Sequence, residues 1–111
     1  MKLKHMYFHP ASKQENNETV LCSFEKKGIP MEKIQSALGR QKRHIASSNS
    51  TETSLSMGIE AAKGVLKQSS ISIQEIDIII FVSSTAEHLI PCDSIYIHQA
   101  LQGKSETMCY D

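Results

Sequence analysis

The chain has 111 residues, 40% of them apolar and 22% charged, with twelve basic and twelve acidic side chains that cancel. That is one ordinary globular domain's worth of chain at most, and its neutrality points to neither nucleic acid nor an anionic membrane as partner. No apolar run approaches the length of a transmembrane helix, and no signal-peptide core follows Lys2 and Lys4.

In chain order, Leu3 to Phe8 can form a first strand, broken at Pro10, and the polar stretch Ser12 to Glu18 reads as a loop tip. Thr19 to Lys27 is helical, with Val20, Leu21 and Phe24 on one face, Asn16 or Asn17 as cap and Gly28 as terminator. Pro30 to Leu38 is a second short helix, with Met31, Ile34 and Leu38 at turn spacing and Gly39 ending it. Arg40 to Ala46 is extended and basic. Ser47 to Ser54 is a Ser/Thr loop.

Leu55 to Leu66 is the strongest helix, with Leu55, Ile59, Ala62 and Leu66 at turn spacing and Thr51 or Thr53 as cap. Ser72 to Glu75 matches a capping box, which predicts a short helical turn leading into the next strand. Ile76 to Val82 is nearly continuous in β-branched and aromatic residues, so it is expected to be covered on both faces. Ser83 to His88 is a loop. Pro91 opens a helix, Gly103 stops it, and Met108 to Tyr110 begins another short strand.

Strands alternating with helices argue for α/β layers with parallel strands, and Ala86 to Ser105 is long enough for a right-handed crossover. The three strands read as one narrow sheet with unpaired edges, which suggests part of something larger or pairing with another copy. Ligands in such sheets gather beyond the carboxyl ends of the strands, and the chain ends where the next such site would begin.

Cys22, Cys92 and Cys109 are odd in number, widely spaced and form no CxxC pair, which suits a reducing cytosol and a cytoplasmic location. His88, Cys92 and His98 match no common zinc spacing, so no metal is expected. His5 and His9 fit edge or surface positions better than ligation. Glu60 and Asp77 do not read as an acid–base pair, because Asp77 begins a strand expected to be buried. Lys26, Lys27, Lys33, Arg40, Lys42 and Arg43 form one basic cluster, which reads first as a solvated face and second as a docking surface for an acidic partner or a phosphate.

Gly39-Arg40-Gln41-Lys42-Arg43-His44-Ile45-Ala46, then a polar loop and Met57-Gly58-Ile59-Glu60-Ala61-Ala62, resemble the G-I-x-x-R-x-I-A segment and E-A-A helix of β-ketoacyl-acyl-carrier-protein synthase III. Ile76-Asp77-Ile78-Ile79-Ile80, Ser83-Ser84-Thr85, Ile90-Pro91-Cys92 and Tyr110-Asp111 continue that family's pattern in order. The resemblance covers Gly39 to Asp111 well and Met1 to Leu38 loosely. It implies an incomplete thiolase-like α/β/α layered fold, a mostly parallel sheet with covering helices.

The resemblance also implies an acyltransferase of fatty acid or related specialised biosynthesis. Such enzymes load an acyl group from coenzyme A or a carrier protein onto a cysteine. They then condense it with malonyl-carrier protein, losing carbon dioxide. The family's nucleophile follows the F-D strand at a helix N-terminus, where the helix dipole favours a thiolate. Its His and Asn partners lie further on. Residues 1–111 would thus be the N-terminal part of the domain, ending just before the catalytic cysteine and inactive alone. Acyl carrier protein and a homodimeric full-length enzyme are the implied partners, with acyl donors as substrates and no separate cofactor.

Cys109 and Cys92 align with small, non-catalytic positions and read as packing residues. Lys33 and Ala37 align with the Trp and Arg that contact coenzyme A in the family, and neither replaces a π face or a guanidinium fork. Ile90 aligns with the aromatic that gates the acyl pocket of the partner subunit, and a smaller gate would admit a bulkier acyl group. Two alternatives stand beside this reading. One is a hydroxymethylglutaryl-synthase-like or other condensing enzyme of the superfamily. The other is a non-catalytic interaction module.

Overall fold

The structure is a computed structural model that describes residues 2–48 and 51–111. The chain divides into two compact units, residues 11–50 and a unit made of residues 1–10 with 51–111.

The smaller unit holds β1 (Lys13–Asn16), α1 (Asn17–Glu25), α2 (Met31–Leu38) and β2 (Lys42–Ile45). β1 and β2 pair antiparallel, with Glu15 opposite Arg43 and Gln14 opposite His44. β1 lies in the segment expected to be a loop. A strand this polar and exposed shows no apolar alternation, and only its cross-strand partner makes it a strand. Asn17 is the hub: it is 2% exposed, its side-chain amide donates to the Arg40 carbonyl at 2.5 Å, and its oxygen accepts from Arg43 Nη2 at 2.8 Å. Asn16 caps α1 by accepting from the Thr19 amide, as its position predicts. Leu21 is the buried apolar anchor of that helix, while Phe24 stays 41% exposed. Gly39 ends α2 in the left-handed conformation, at φ 63°.

The larger unit holds α3 (Ser54–Ser69), a 3₁₀ turn (Ile73–Glu75), β3 (Ile78–Ile80), α4 (Asp93–Leu101) and β4 (Met108–Tyr110). Thr53 and Ser56 form a reciprocal capping box at the start of α3, and Ser72 with Glu75 forms the expected one at the 3₁₀ turn. β3 and β4 run parallel and α4 is the crossover between them. Phe81 N donating to Tyr110 O and Met108 N donating to Asp77 O extend the ladder at both ends. Leu55 of α3 and Ile97 of α4 are the buried apolar side chains on the helical side.

Several expectations are corrected. There is no single narrow sheet of three strands. The described residues form two separate two-stranded sheets, one antiparallel and one parallel. Leu3 to Phe8 is not a strand. Within it Tyr7 lies against Gly64 of α3, where an added Cβ would overlap its ring. Leu3, Met6 and Phe8 are left largely exposed. β3 is covered on one face only, since Ile78, Ile80 and Val82 are exposed. Asp77 is exposed and pairs with Lys104 at 2.5 Å. The left-handed residue that ends α4 is Gln102, at φ 57°, not Gly103, whose amide donates to the His98 carbonyl.

Candidate functional site

The densest polar arrangement in the larger unit sits at the carboxyl ends of β3 and β4, where α/β sheets place their ligands. Asp111 follows β4. Its carboxylate accepts the backbone N–H of Asp93 at 2.7 Å and of Ser94 at 2.8 Å, which closes the amino end of α4. Asp93 is itself fully buried. Its Oδ2 accepts from Glu87 N at 2.9 Å, its Oδ1 accepts from His88 N at 3.1 Å, and His88 Nδ1 lies 2.9 Å from Oδ1. The His88 ring stacks on Tyr96 of α4, centroids 4.2 Å apart. Glu87 in turn accepts the backbone N–H of Leu55 at 3.0 Å, in the first turn of α3.

Three carboxylates therefore tie the loop after β3 to two helix starts and to the end of β4. Burial pushes the Asp93 carboxyl up. The N–H groups of Glu87 and His88 and the His88 ring outweigh it and hold the group below the usual carboxylate range. The Ser94 side chain lowers the Asp111 carboxyl most. Burial opposes it, and the Ser94 and Asp93 amides and the Cys92 thiol add to the lowering. Charge at these positions is also favoured by the positive end of α4.

Hydroxyls line the same loop. Ser54 Oγ and Thr85 Oγ1 are 2.5 Å apart, and Thr85 N donates to Ser83 Oγ at 3.0 Å. Cys92 is the N-cap residue of α4, with its Sγ 3.2 Å from Ser94 Oγ. Cys109 sits in β4, part-buried, and burial, followed by Cys92 and Asp111, pushes its thiol up. A thiol disfavoured as thiolate suits a packing residue and not a nucleophile. An apolar groove of about 250 Å³ lies where α3, α4 and β3 meet, lined by Ala62, Leu66, Ile76, Ile79, Ile97 and Leu101 among others.

The sequence-predicted positions fall in different places. Ile90 stands at the tip of the loop, 94% exposed, with Leu89 at 90% beside it. Lys33 and Ala37 are both exposed on α2, in the other unit. His88, Cys92 and His98 do not converge. His88 turns to Asp93 and His98 Nε2 to the Lys104 carbonyl, and no group of three metal-ligating side chains occurs among the described residues. Of the basic cluster, Arg43 is tied to Asn17 while Lys26, Lys27, Lys33, Arg40 and Lys42 are exposed. Sequence reading missed Asp93 and Glu87. The one available signal was an acidic residue in the first turn of a helix opened by a proline.

No family model matches the chain. A stretch of 73 residues is 38% identical to β-ketoacyl-[acyl-carrier-protein] synthase III of Bartonella henselae and 40% identical to that of Bartonella bacilliformis. In both cases the match covers 66% of this chain and only 22% of the relative. In structure, 97% of the chain superposes on a 3-oxoacyl-(acyl-carrier-protein) synthase III with a TM-score of 0.80 at 19% identity, covering 31% of that chain. OleA of Xanthomonas campestris superposes on 96% of the chain with a TM-score of 0.78 at 16% identity, covering 32% of that chain. The fold is thus thiolase-like, and the sequence is related to β-ketoacyl-acyl-carrier-protein synthase III across 66% of the chain.

Proposed function

We propose that the chain is the N-terminal portion of a β-ketoacyl-acyl-carrier-protein synthase III-like acyltransferase, a cytoplasmic condensing enzyme of fatty acid or related biosynthesis. The carrying observation is the strand-end arrangement at the carboxyl ends of β3 and β4, taken with the relatedness of 73 residues of the chain to those enzymes. Asp111 closes the start of α4 and fixes the point at which the chain leaves β4. In this reading a cysteine beyond Asp111 accepts the acyl group from its thioester, and the donor's thiol leaves. A carbanion formed by loss of carbon dioxide from malonyl-carrier protein then attacks the acyl-cysteine and releases the thiolate. The residues of this chain bind and position; none of them is the nucleophile or its proton partners.

Acyl carrier protein is the partner this reading requires. The exposed Lys26, Lys27, Lys33, Arg40 and Lys42 offer it a positive surface. Donor choice leans to the carrier protein. Exposed Lys33 and Ala37 offer neither an aromatic face for a purine nor a planar fork for a phosphate.

The test is to sequence the source gene past the codon for Asp111 and assay its full product for acyl transfer. A cysteine within a few residues, with acyl-carrier-dependent release of carbon dioxide from malonyl-carrier protein, is the expected result. A stop codon directly after Asp111, or a full product with no thiol acylation, overturns the reading.

A further inference from the structure

One buried carboxylate holds the loop between β3 and α4. Asp93 is fully buried, and its two oxygens take the backbone N–H groups of Glu87 and His88. A third group meets the same carboxylate, since His88 Nδ1 lies 2.9 Å from Oδ1. An ionised carboxylate only accepts, so the ring carries a hydrogen on Nδ1 and donates it. Stacking on Tyr96, with centroids 4.2 Å apart, keeps the ring in that plane. Nε2 makes no hydrogen bond among the described residues, and the side chain is 39% exposed. A proton can therefore reach Nε2 from water without breaking any contact of the ring. Its arrival turns a neutral donor into the cationic half of an ion pair, and charge-assisted hydrogen bonds are the stronger kind. Histidine is the side chain that ordinarily changes charge between pH 5 and 8.

The groups around the pair are few. On α4 the ring faces Asp93 and Tyr96. From the end of β4, the Asp111 carboxylate sits behind Asp93 on the Asp93 and Ser94 amides, with the Cys92 thiol beside it. The Glu87 carboxylate, on the ring's own loop, turns to the Leu55 amide of α3. Neither Asp93 nor Asp111 has a lysine or arginine partner among the described residues. His88 is thus the side chain that can bring positive charge to these two carboxylates. The positive end of α4 opposes a cation there with about half an elementary charge, against the full charges of Asp93 and Asp111.

We infer that His88 is a proton-operated latch on the loop after β3: protonated, it clamps the loop to Asp93 at the start of α4, and neutral, it lets the loop open more often. The loop so governed lies at the carboxyl ends of the strands, where α/β sheets bind their ligands, and it carries the exposed Leu89 and Ile90. The latch works between about pH 5 and 8, above the range in which Asp93 itself takes up a proton. It is independent of the acyl-transfer reading. Hydrogen exchange at the Glu87 and His88 amides across that range tests it, expressed as protection factors so that the intrinsic pH dependence is divided out. Protection should fall about two- to fivefold as pH rises, the range of a part-exposed ion pair, while amides in the middle of α3 keep theirs. His88→Gln retains a side-chain donor that cannot become charged, and it should make the protection at both positions independent of pH. Asp93→Asn should leave protection low and equally flat. Wild-type protection that is constant or rises with pH overturns the inference. So does a fall that persists in either variant, which would place the titrating group elsewhere.

Discussion

Asp111 and Asp93 act in series. The carboxylate of Asp111 accepts the backbone N–H of Asp93, and the carboxylate of Asp93 accepts the backbone N–H groups of Glu87 and His88. The end of one strand thereby sets the start of a helix, and the start of that helix sets the loop that follows the neighbouring strand. Each link satisfies donors that helix starts and turns would otherwise leave orphaned.

Asp93→Asn should loosen the loop after β3 more than it loosens the helices. An amide keeps one acceptor oxygen but turns a donor NH₂ toward N–H groups, so at least one buried donor goes unpaired. Hydrogen exchange should rise at the Glu87 and His88 amides while those in the middle of α3 stay protected. Unchanged exchange at both amides would contradict the arrangement.

Stability should fall in acid through the same two carboxylates. Both are held below their unfolded value of about 3.9, so the unfolded chain takes up protons first as pH drops. Their contribution is fully present above that value and is lost as pH falls through the lower folded values. Urea midpoints should therefore hold from neutral pH to about 5 and decline below about 4, less steeply in Asp93→Asn. A decline that begins near neutrality would implicate other groups.

Thr53→Ala should destabilise α3 by about 1 kcal/mol, because Thr53 accepts the Ser56 amide at 3.1 Å in a capping box. Thermal melts of wild type and variant measure this. Thr51→Ala, which removes no cap, should shift the melt much less.

Ile97→Ala should cost about 2–4 kcal/mol, since Ile97 is 4% exposed and is one of the buried side chains between the helices and the β3–β4 sheet. Ile95→Ala on the same helix, at 42% exposure, should cost well under half as much. Chemical denaturation of the pair separates core packing from helix propensity.

Gly64→Ala should free the segment before Pro10. The new Cβ would overlap the Tyr7 ring, while alanine inside a helix contributes up to about 1 kcal/mol relative to glycine. The expected outcome is faster proteolysis within residues 2–9 with little change in the midpoint of global unfolding. An unaltered cleavage pattern would show that Tyr7 is not held there.

Helix positions, their caps and the crossover were legible from the chain alone. Asn16, Thr53 and the Ser72–Glu75 box announce helix starts through short-range hydrogen bonds that their own side chains make. The apolar runs at Ile78 and Met108 likewise marked the parallel strands, and the motif order from Gly39 to Asp111 pointed to the thiolase-like fold that the superposition bears out. Local chemistry suffices for those features because both partners lie within a few residues.

Tertiary structure decided what depends on distant partners. Lys13–Asn16 is a strand because Lys42–Ile45 pairs with it, while the more apolar Leu3–Phe8 is not one. Gln102 takes the left-handed turn in place of Gly103, for which nothing in the pattern of residues prepared. The carboxylate chain from Asp111 through Asp93 to Glu87 and on to Leu55 spans 57 residues of sequence, from 55 to 111 inclusive, so no periodicity could reveal it. Sequence determined the elements, since their hydrogen bonds are short-range. Only the packed chain decided which carboxylates face which helix starts, since that pairing exists once β4 returns beside β3.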